Sequence, residues 1–191
     1  MWPWEHLAVG YVVFSLWCRA GGHERPRVAD IGAVVLGSQF PDLVDKPLGW
    51  GTTVLPSGTS LAHSLLVAVP VAVAVVAVGR RIGRSTPAVA FALAYLAHLP
   101  ADVVYPMLLG GGPKVGFLLW PLVPADPTPP TAVVGRVGEL FAEFLSVLGT
   151  PAGYAFLVVE ITLLGTAVLL WRADGRPGIE LLRHRIVGNS G

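Results

Sequence analysis

The chain has 191 residues, of which 53% are hydrophobic and 13% charged, with a mean hydropathy of +0.66. Soluble domains carry about 25% charged residues, so this composition points to a single polytopic membrane domain. The formal charge of +1 implies no nucleic-acid or acidic partner, and with Cys18 as the one cysteine an internal disulfide is excluded.

The opening stretch, MWPWEHLAVGYVVFSLWCRAGG, has no basic residue ahead of its apolar run, and Arg19 follows that run. It reads as a retained membrane segment, residues 4–17, and not as a signal peptide. A spanning helix needs about 20 apolar residues, within a range of about 17–25. Segments 4–17 and 28–40 are shorter, at 14 and 13 residues, and would reach about 20 Å each at 1.5 Å per residue. They read as spans of a locally thinned bilayer or as a hairpin sunk into it. Segments 61–79, 87–109 and 153–171 are long enough to cross. Between the last two lies a loop rich in Gly and Pro, residues 110–131, and then AVVGRVGELFAEFLSVLG, residues 132–149. There Val133, Val137, Leu140, Phe141, Phe144 and Leu148 share one helical face, opposite Arg136, Glu139 and Glu143. This is the pattern of a linker helix or of an interfacial helix on the outer leaflet. The expectation is an all-α bundle of five spans in one domain, residues 1–171. It includes an outer region, 110–152, and ends in a short basic cytoplasmic tail, 172–191.

Lys and Arg accumulate in cytoplasmic loops. In a five-span chain Arg19, Arg25, Arg27, Arg80, Arg81, Arg84, Arg172, Arg176, Arg183 and Arg185 fall on one side, and Lys46, Lys114 and Arg136 on the other. The N-terminus is then outside. Trp2, Trp4, Trp50 and Trp120 lie near outer ends and Trp17 and Trp171 near inner ones, as an aromatic belt requires.

Ionisable groups at membrane depth cost several kcal/mol unless paired or ligated, roughly 2.5–3.5 for a charge at a helix centre. This topology sends six of them to the outer side: His6, Asp42, Asp45, His63, His98 and Asp102. His98 and Asp102 are four apart and share a helix face, and Asp42 and Asp45 are three apart. Pro100, between His98 and Asp102, loosens the helix ladder there. Three imidazoles and three carboxylates suit zinc, with manganese or iron as alternatives, and six ligands are enough for one ion or two. No single element is specific, because HxxxD and PDxxD recur by chance and Asp42 and Asp45 alone could be a turn and a cap. The joint pattern carries the reading.

The stretches PDLVD, AHSLL, YLAHLPADVV and LLWPL, in that order within residues 6–122, resemble the YdjM-like (LexA-binding, inner-membrane-associated) family of metal-dependent hydrolases. The resemblance implies a distant likeness to zinc-dependent phospholipase C and the fungal single-strand nucleases, which are α-helical enzymes with His/Asp metal clusters. It also implies that His6, Asp42, Asp45, His63, His98 and Asp102 are metal ligands. The family often places a basic residue and a Thr just ahead of its His-Ser pair. Here SGTSLAHS has Ala62 where that Thr is common, leaving Ser60 or Ser64 to supply a hydroxyl.

Glu160, mid-way along the last segment, reads as a carboxyl bonded to a neighbouring helix, or as a further ligand or general base. Glu5 reads as solvated or as a support for His6, and Ser64 as a support for the ligands. His23 and His184 lie among arginines and read as solvated. The leading functional expectation is a membrane-embedded hydrolase, its site at the outer leaflet. Metal-activated water would attack a phosphoester or related ester, with Asp45 or Asp102 managing the proton. Membrane lipids are the expected surroundings and a lipid-linked or amphiphilic molecule the expected substrate. A transporter with a His/Asp ion site, or a scaffold stapled by a metal, are the alternatives.

Overall fold

The computed structural model describes residues 1–128 and 133–179. All its regular elements are helical. They are α1 (Pro3–Ala20), α2 (Val28–Trp50), α3 (Leu65–Arg81), α4 (Ser85–Leu108), a 3₁₀ turn (Gly116–Leu119), α5 (Val133–Leu148) and α6 (Pro151–Ala173). Local signals set several ends. Pro3 and Pro151 open α1 and α6, where the proline's missing N–H costs nothing. The hydroxyls of Ser64 and Thr150 accept from the N–H groups of Leu66 and Gly153 as N-caps. Arg19, Arg80, Arg81 and Arg172 stand in last turns, where a cation meets the negative helix end.

Helix α4 is the centre of the bundle and packs against α1, α2 and α3. Its buried face is built from Ala88, Ala90, Ala92 and Ala94, and small residues let helix backbones approach closely. A Cβ on Gly37 of α2 would lie 2.3 Å from the Phe91 carbonyl oxygen, and one on Gly10 of α1 would lie 3.0 Å from the Ala94 Cβ. Tyr11, Phe14, Cys18, Val34, Ala90 and Ala94 fill the space between α1, α2 and α4. Helix α6 lies along α1, and α5 packs on α6 through Phe144 against Phe156.

Residues 6, 10 and 14 of α1 meet 98–102, 94 and 90 of α4, so these two helices run antiparallel. The C-terminal ends of α1, α3 and α6 therefore share one end with the starts of α2 and α4, and the described arginines from Arg19 to Arg84, with Arg172 and Arg176, gather there. At this end the buried Asp174, just past α6, accepts hydrogen bonds from Tyr11 Oη (2.8 Å), Ser15 Oγ (2.6 Å) and Arg19 Nη2 (2.5 Å). Three successive turns of α1 thus hold one carboxylate. Arg183, His184 and Arg185 lie outside the described residues.

Two of the five expected spans, now α4 and α6, are long and apolar enough to cross a membrane among the described residues. Within the spanning window 44% of α4 is buried in protein, against 11% of α6, so α4 is a core helix and α6 an exposed apolar one. The other three differ for physical reasons. Helix α1 includes Glu5, His6 and Arg19, and α3 begins after His63 and has 17 residues. Segment 28–40 does not stop at Phe40, because α2 continues through Pro41 and Pro47 to Trp50 and takes Asp42, Asp45 and Lys46 into the helix.

Candidate metal centre

Four side chains converge at the end of the bundle opposite the arginines. His98 and Asp102 come from successive turns of α4, Asp42 from α2, and His63 from the loop between α2 and α3. Each offers one ligand atom, all within 4.8 Å of one another. His98 Nε2 lies 3.2 Å from His63 Nε2 and 3.2 Å from Asp102 Oδ2. His63 Nε2 lies 3.4 Å from Asp102 Oδ2 and 3.4 Å from Asp42 Oδ1, and His98 Nε2 lies 3.8 Å from Asp42 Oδ1. Donors bound at about 2.0–2.1 Å to one tetrahedral zinc sit about 3.3 Å apart. Five of the six separations, at 3.2–3.8 Å, are near that spacing, and the sixth, between Asp42 and Asp102, is within 4.8 Å.

The far sides of the two rings fix their protonation. His98 Nδ1 is 2.7 Å from the Ser38 carbonyl, which only accepts, so this nitrogen carries the hydrogen. His63 Nδ1 is 2.8 Å from Asp45 Oδ2, a carboxylate acceptor. In the neutral rings both Nε2 atoms are therefore bare lone pairs, facing each other and two carboxylate oxygens. Asp42 Oδ1 is buried with no hydrogen-bond partner. Four acceptors without a donor repel one another unless a cation lies among them, so the residues present fit a divalent ion. A proton on His63 Nε2 is the other cation that satisfies these acceptors: burial disfavours the charged ring, yet hydrogen bonds to Asp102, Asp42 and Asp45 outweigh it and raise its pKa.

Asp45 departs from its expected place. Its oxygens accept from the backbone N–H of Ser60 (2.8 Å), Ala62 (2.9 Å) and His63 (3.2 Å) as well as from the His63 ring. It is fully buried behind His63 and orients that ring, so it neither faces the cluster nor has an oxygen free to manage a proton. The same amides bring the loop, and His63 with it, against α2. Tyr95 Oη donates to the Ala62 carbonyl at 2.7 Å and ties the loop to α4.

A model of the YdjM inner membrane protein family matches residues 1–174. The chain belongs to that family. No curated protein and no solved structure matches it, and the likeness to zinc-dependent phospholipase C that the resemblance implied is not shown.

In this YdjM-family chain, of the remaining candidate residues His6 touches the cluster, and Ser64, Glu5 and Glu160 make their contacts elsewhere. The His6 ring stacks on His98 with centroids 3.6 Å apart and planes 10° from parallel. His6 Nε2 is 3.2 Å from Asp102 Oδ1 but out of line for a hydrogen bond, and both His6 nitrogens are buried without partners. Asp102 thus turns Oδ2 to the cluster and Oδ1 to His6 and the Met1 amine, the latter at 2.8 Å. The hydroxyls near His63 point elsewhere: Ser64 Oγ donates to the Trp120 carbonyl at 2.5 Å and Ser60 Oγ to that of Ser57 at 3.0 Å. Neither supports a ligand directly. Glu5, expected either in solvent or as a support for His6, is fully buried at the start of α1, with Oε2 accepting from Trp2 N–H and Oε1 unpartnered. Glu160 Oε1 accepts from the Trp4 indole at 2.9 Å, a bond between α6 and α1 that matches its structural reading.

Sequence reasoning passed over three residues at the site. The Ser38 carbonyl has no sequence signal, and Tyr95 reads as an ordinary aromatic. Lys46, four residues after Asp42, does have one in its i, i+4 spacing, and its Nζ is 2.5 Å from Asp42 Oδ2. Around α4 from the cluster lies an apolar cavity of about 320 Å³, lined by Leu65, Leu99, Pro100, Val103, Val115 and Leu118 among others.

Proposed function

We propose that this chain is a membrane-embedded, metal-dependent hydrolase acting on a phosphoester or related ester of an amphiphilic molecule. The carrying observation is the set of four acceptor atoms, on three buried residues and the half-buried Asp102, gathered within 4.8 Å of one another. Asp42, His63, His98 and Asp102 would hold the ion, and zinc suits this nitrogen and oxygen set best. When bound, such an ion supplies Lewis acidity and lowers the pKa of a water toward about 7. The chain's own residues do the rest. Asp45 and the Ser38 carbonyl lock the two rings, and loop 51–64 closes the centre from one side. Of the two carboxylates expected to manage a proton, Asp102 is the one at the cluster, and its Oδ1 would have to exchange the Met1 amine it now accepts from to do so. The apolar cavity lies on another face of α4 and is lined by none of the four, so the amphiphilic character of the substrate rests on the membrane setting of the centre.

The five-crossing arrangement, with the metal end outside and the arginine end in the cytoplasm, is part of this reading. It draws support from the concentration of arginines at the end opposite the cluster. Below the cluster the core of Phe14, Val34, Ala90 and Ala94 is closed and apolar, which favours hydrolysis over an ion path. One observation favours a second reading, a metal-stapled scaffold: four protein donors can close a tetrahedral site, whereas catalytic zinc keeps a position open.

The test is turnover of phosphodiester and phospholipid panels by zinc-loaded protein in detergent, beside His98→Ala. Zinc-dependent turnover lost in the variant supports the hydrolase. Bound zinc with no turnover on any panel member supports the scaffold, and metal-dependent flux into liposomes supports transport.

A further inference from the structure

Two cations meet the cluster, the Met1 amine on Asp102 Oδ1 and the side chain of Lys46, and Lys46 is the more exposed of them. Its Nζ pairs with Asp42 Oδ2 at 2.5 Å, while Asp42 Oδ1 faces the His63 and His98 nitrogens. The head also lies 5.5 Å from the centroid of the Trp50 ring, whose face holds a cation in place. The Lys46 side chain is 25% exposed, against 0% for the side chains of His63 and His98. It therefore stands at the mouth of the centre, between ligands and solvent. The other described basic side chains are occupied or distant: Arg19 is held by Asp174, Arg136 by Glu139, and the remaining arginines lie at the opposite end, while Lys114 is exposed in the 110–131 loop.

The charge arrangement gives Lys46 a second partner. With a divalent ion at the cluster, the negative charge of Asp42 is drawn onto the metal, and the ammonium beside it is left under-compensated in a partly desolvated place. A cation so placed attracts an anionic oxygen approaching the ion.

We propose that Lys46 is the anion-recognition residue of this centre, binding a phosphate-type oxyanion at the mouth beside Asp42. The inference rests on the metal reading above and deepens it by naming the charge of the substrate group.

The experiment uses full-length protein in detergent micelles. Zinc affinity is measured first, and then binding of inorganic phosphate to the zinc-loaded protein, for wild type, Lys46→Met and Lys46→Arg. Removing Lys46 frees Asp42 from a competitor for its charge, so the two affinities move apart. Lys46→Met keeps or tightens zinc and weakens phosphate about tenfold, the size of one charge-assisted contact, while Lys46→Arg restores most of the phosphate binding. Phosphate affinity within about twofold of wild type in zinc-loaded Lys46→Met overturns the inference and leaves the metal site standing. Zinc affinity falling together with phosphate affinity makes Lys46 a structural partner of Asp42 and also overturns it. Absence of zinc uptake by wild type overturns both readings. A second arm adds phosphatidic acid in phosphatidylcholine nanodiscs as a competitor. Displacement of phosphate that depends on Lys46 assigns the oxyanion to a lipid headgroup, and a Lys46-dependent phosphate site without displacement assigns it to a soluble ester.

Discussion

Helix α1 touches a buried polar cluster at each end, and the two are filled in opposite ways. At the arginine end Asp174 meets three donors, from Tyr11, Ser15 and Arg19, so its carboxylate is satisfied by the chain itself. At the other end Asp42, His63, His98 and Asp102 present acceptors to acceptors, and Asp42 Oδ1 and both His6 nitrogens have no hydrogen-bond partner. Buried polar groups are normally paired. A saturated cluster therefore needs no added cation, and an unsaturated one needs a metal ion or a proton. The first holds α6 to α1, and the second has the composition of a binding site.

Substitutions at the two ends should separate in what they change. His98→Ala removes a ligand and should weaken zinc binding by more than about 100-fold, beyond the range seen for outer-shell partners, while the folded helical content survives. Competition with a chromophoric chelator measures it, and affinity within tenfold of wild type would remove His98 from the ligand set. Asp174→Ala should leave zinc affinity unchanged and cost about 2–6 kcal/mol of stability. Two buried hydroxyls lose their acceptor at about 1–3 kcal/mol each, and Arg19, 44% exposed, adds little after solvent screening. Reversible unfolding in mixed micelles reads this, and a change in zinc affinity would contradict the separation of the two ends.

Asp45→Ala tests the boundary between ligand and support. It should weaken zinc about 10–100-fold without removing it, as expected for a partner that fixes a ligand ring. Complete loss of zinc from a folded protein would restore Asp45 to the ligands. Ser15→Ala, the mildest change, should cost about 1 kcal/mol and leave zinc untouched. Equal zinc weakening in Ser15→Ala and Asp45→Ala would mean that both clusters act through global stability alone.

Much of this molecule was legible in the sequence. Hydrophobic runs gave the cores of α1, α3, α4 and α6, and the 3.6 period gave α5 within a residue of its ends. Arg-rich turns identified one end of the bundle, and the i, i+4 pair His98 and Asp102 gave one wall of the cluster. The stop expected at Phe40 was missed because the polar and proline-containing stretch after it looks like a loop. Asp42 and Asp45 remain helical because one faces the cluster and the other is bonded by the 60–63 amides. The division of labour between those two carboxylates depends on where a non-helical loop returns, which no local pattern encodes. For the same reason the Ser38 carbonyl, the Tyr95 hydroxyl and the Asp174 latch were invisible: each is a tertiary partner far away in the chain.

The central claim is that one metal ion lies among Asp42, His63, His98 and Asp102. X-ray absorption at the zinc edge of the loaded protein tests it most directly, because it reads the identity and distance of the donors around the ion. The account predicts a shell of nitrogen and oxygen at about 2.0–2.2 Å with the multiple-scattering signature of two imidazoles, falling to one in His98→Ala. A shell of water alone, or a protein that takes up no zinc, would contradict it.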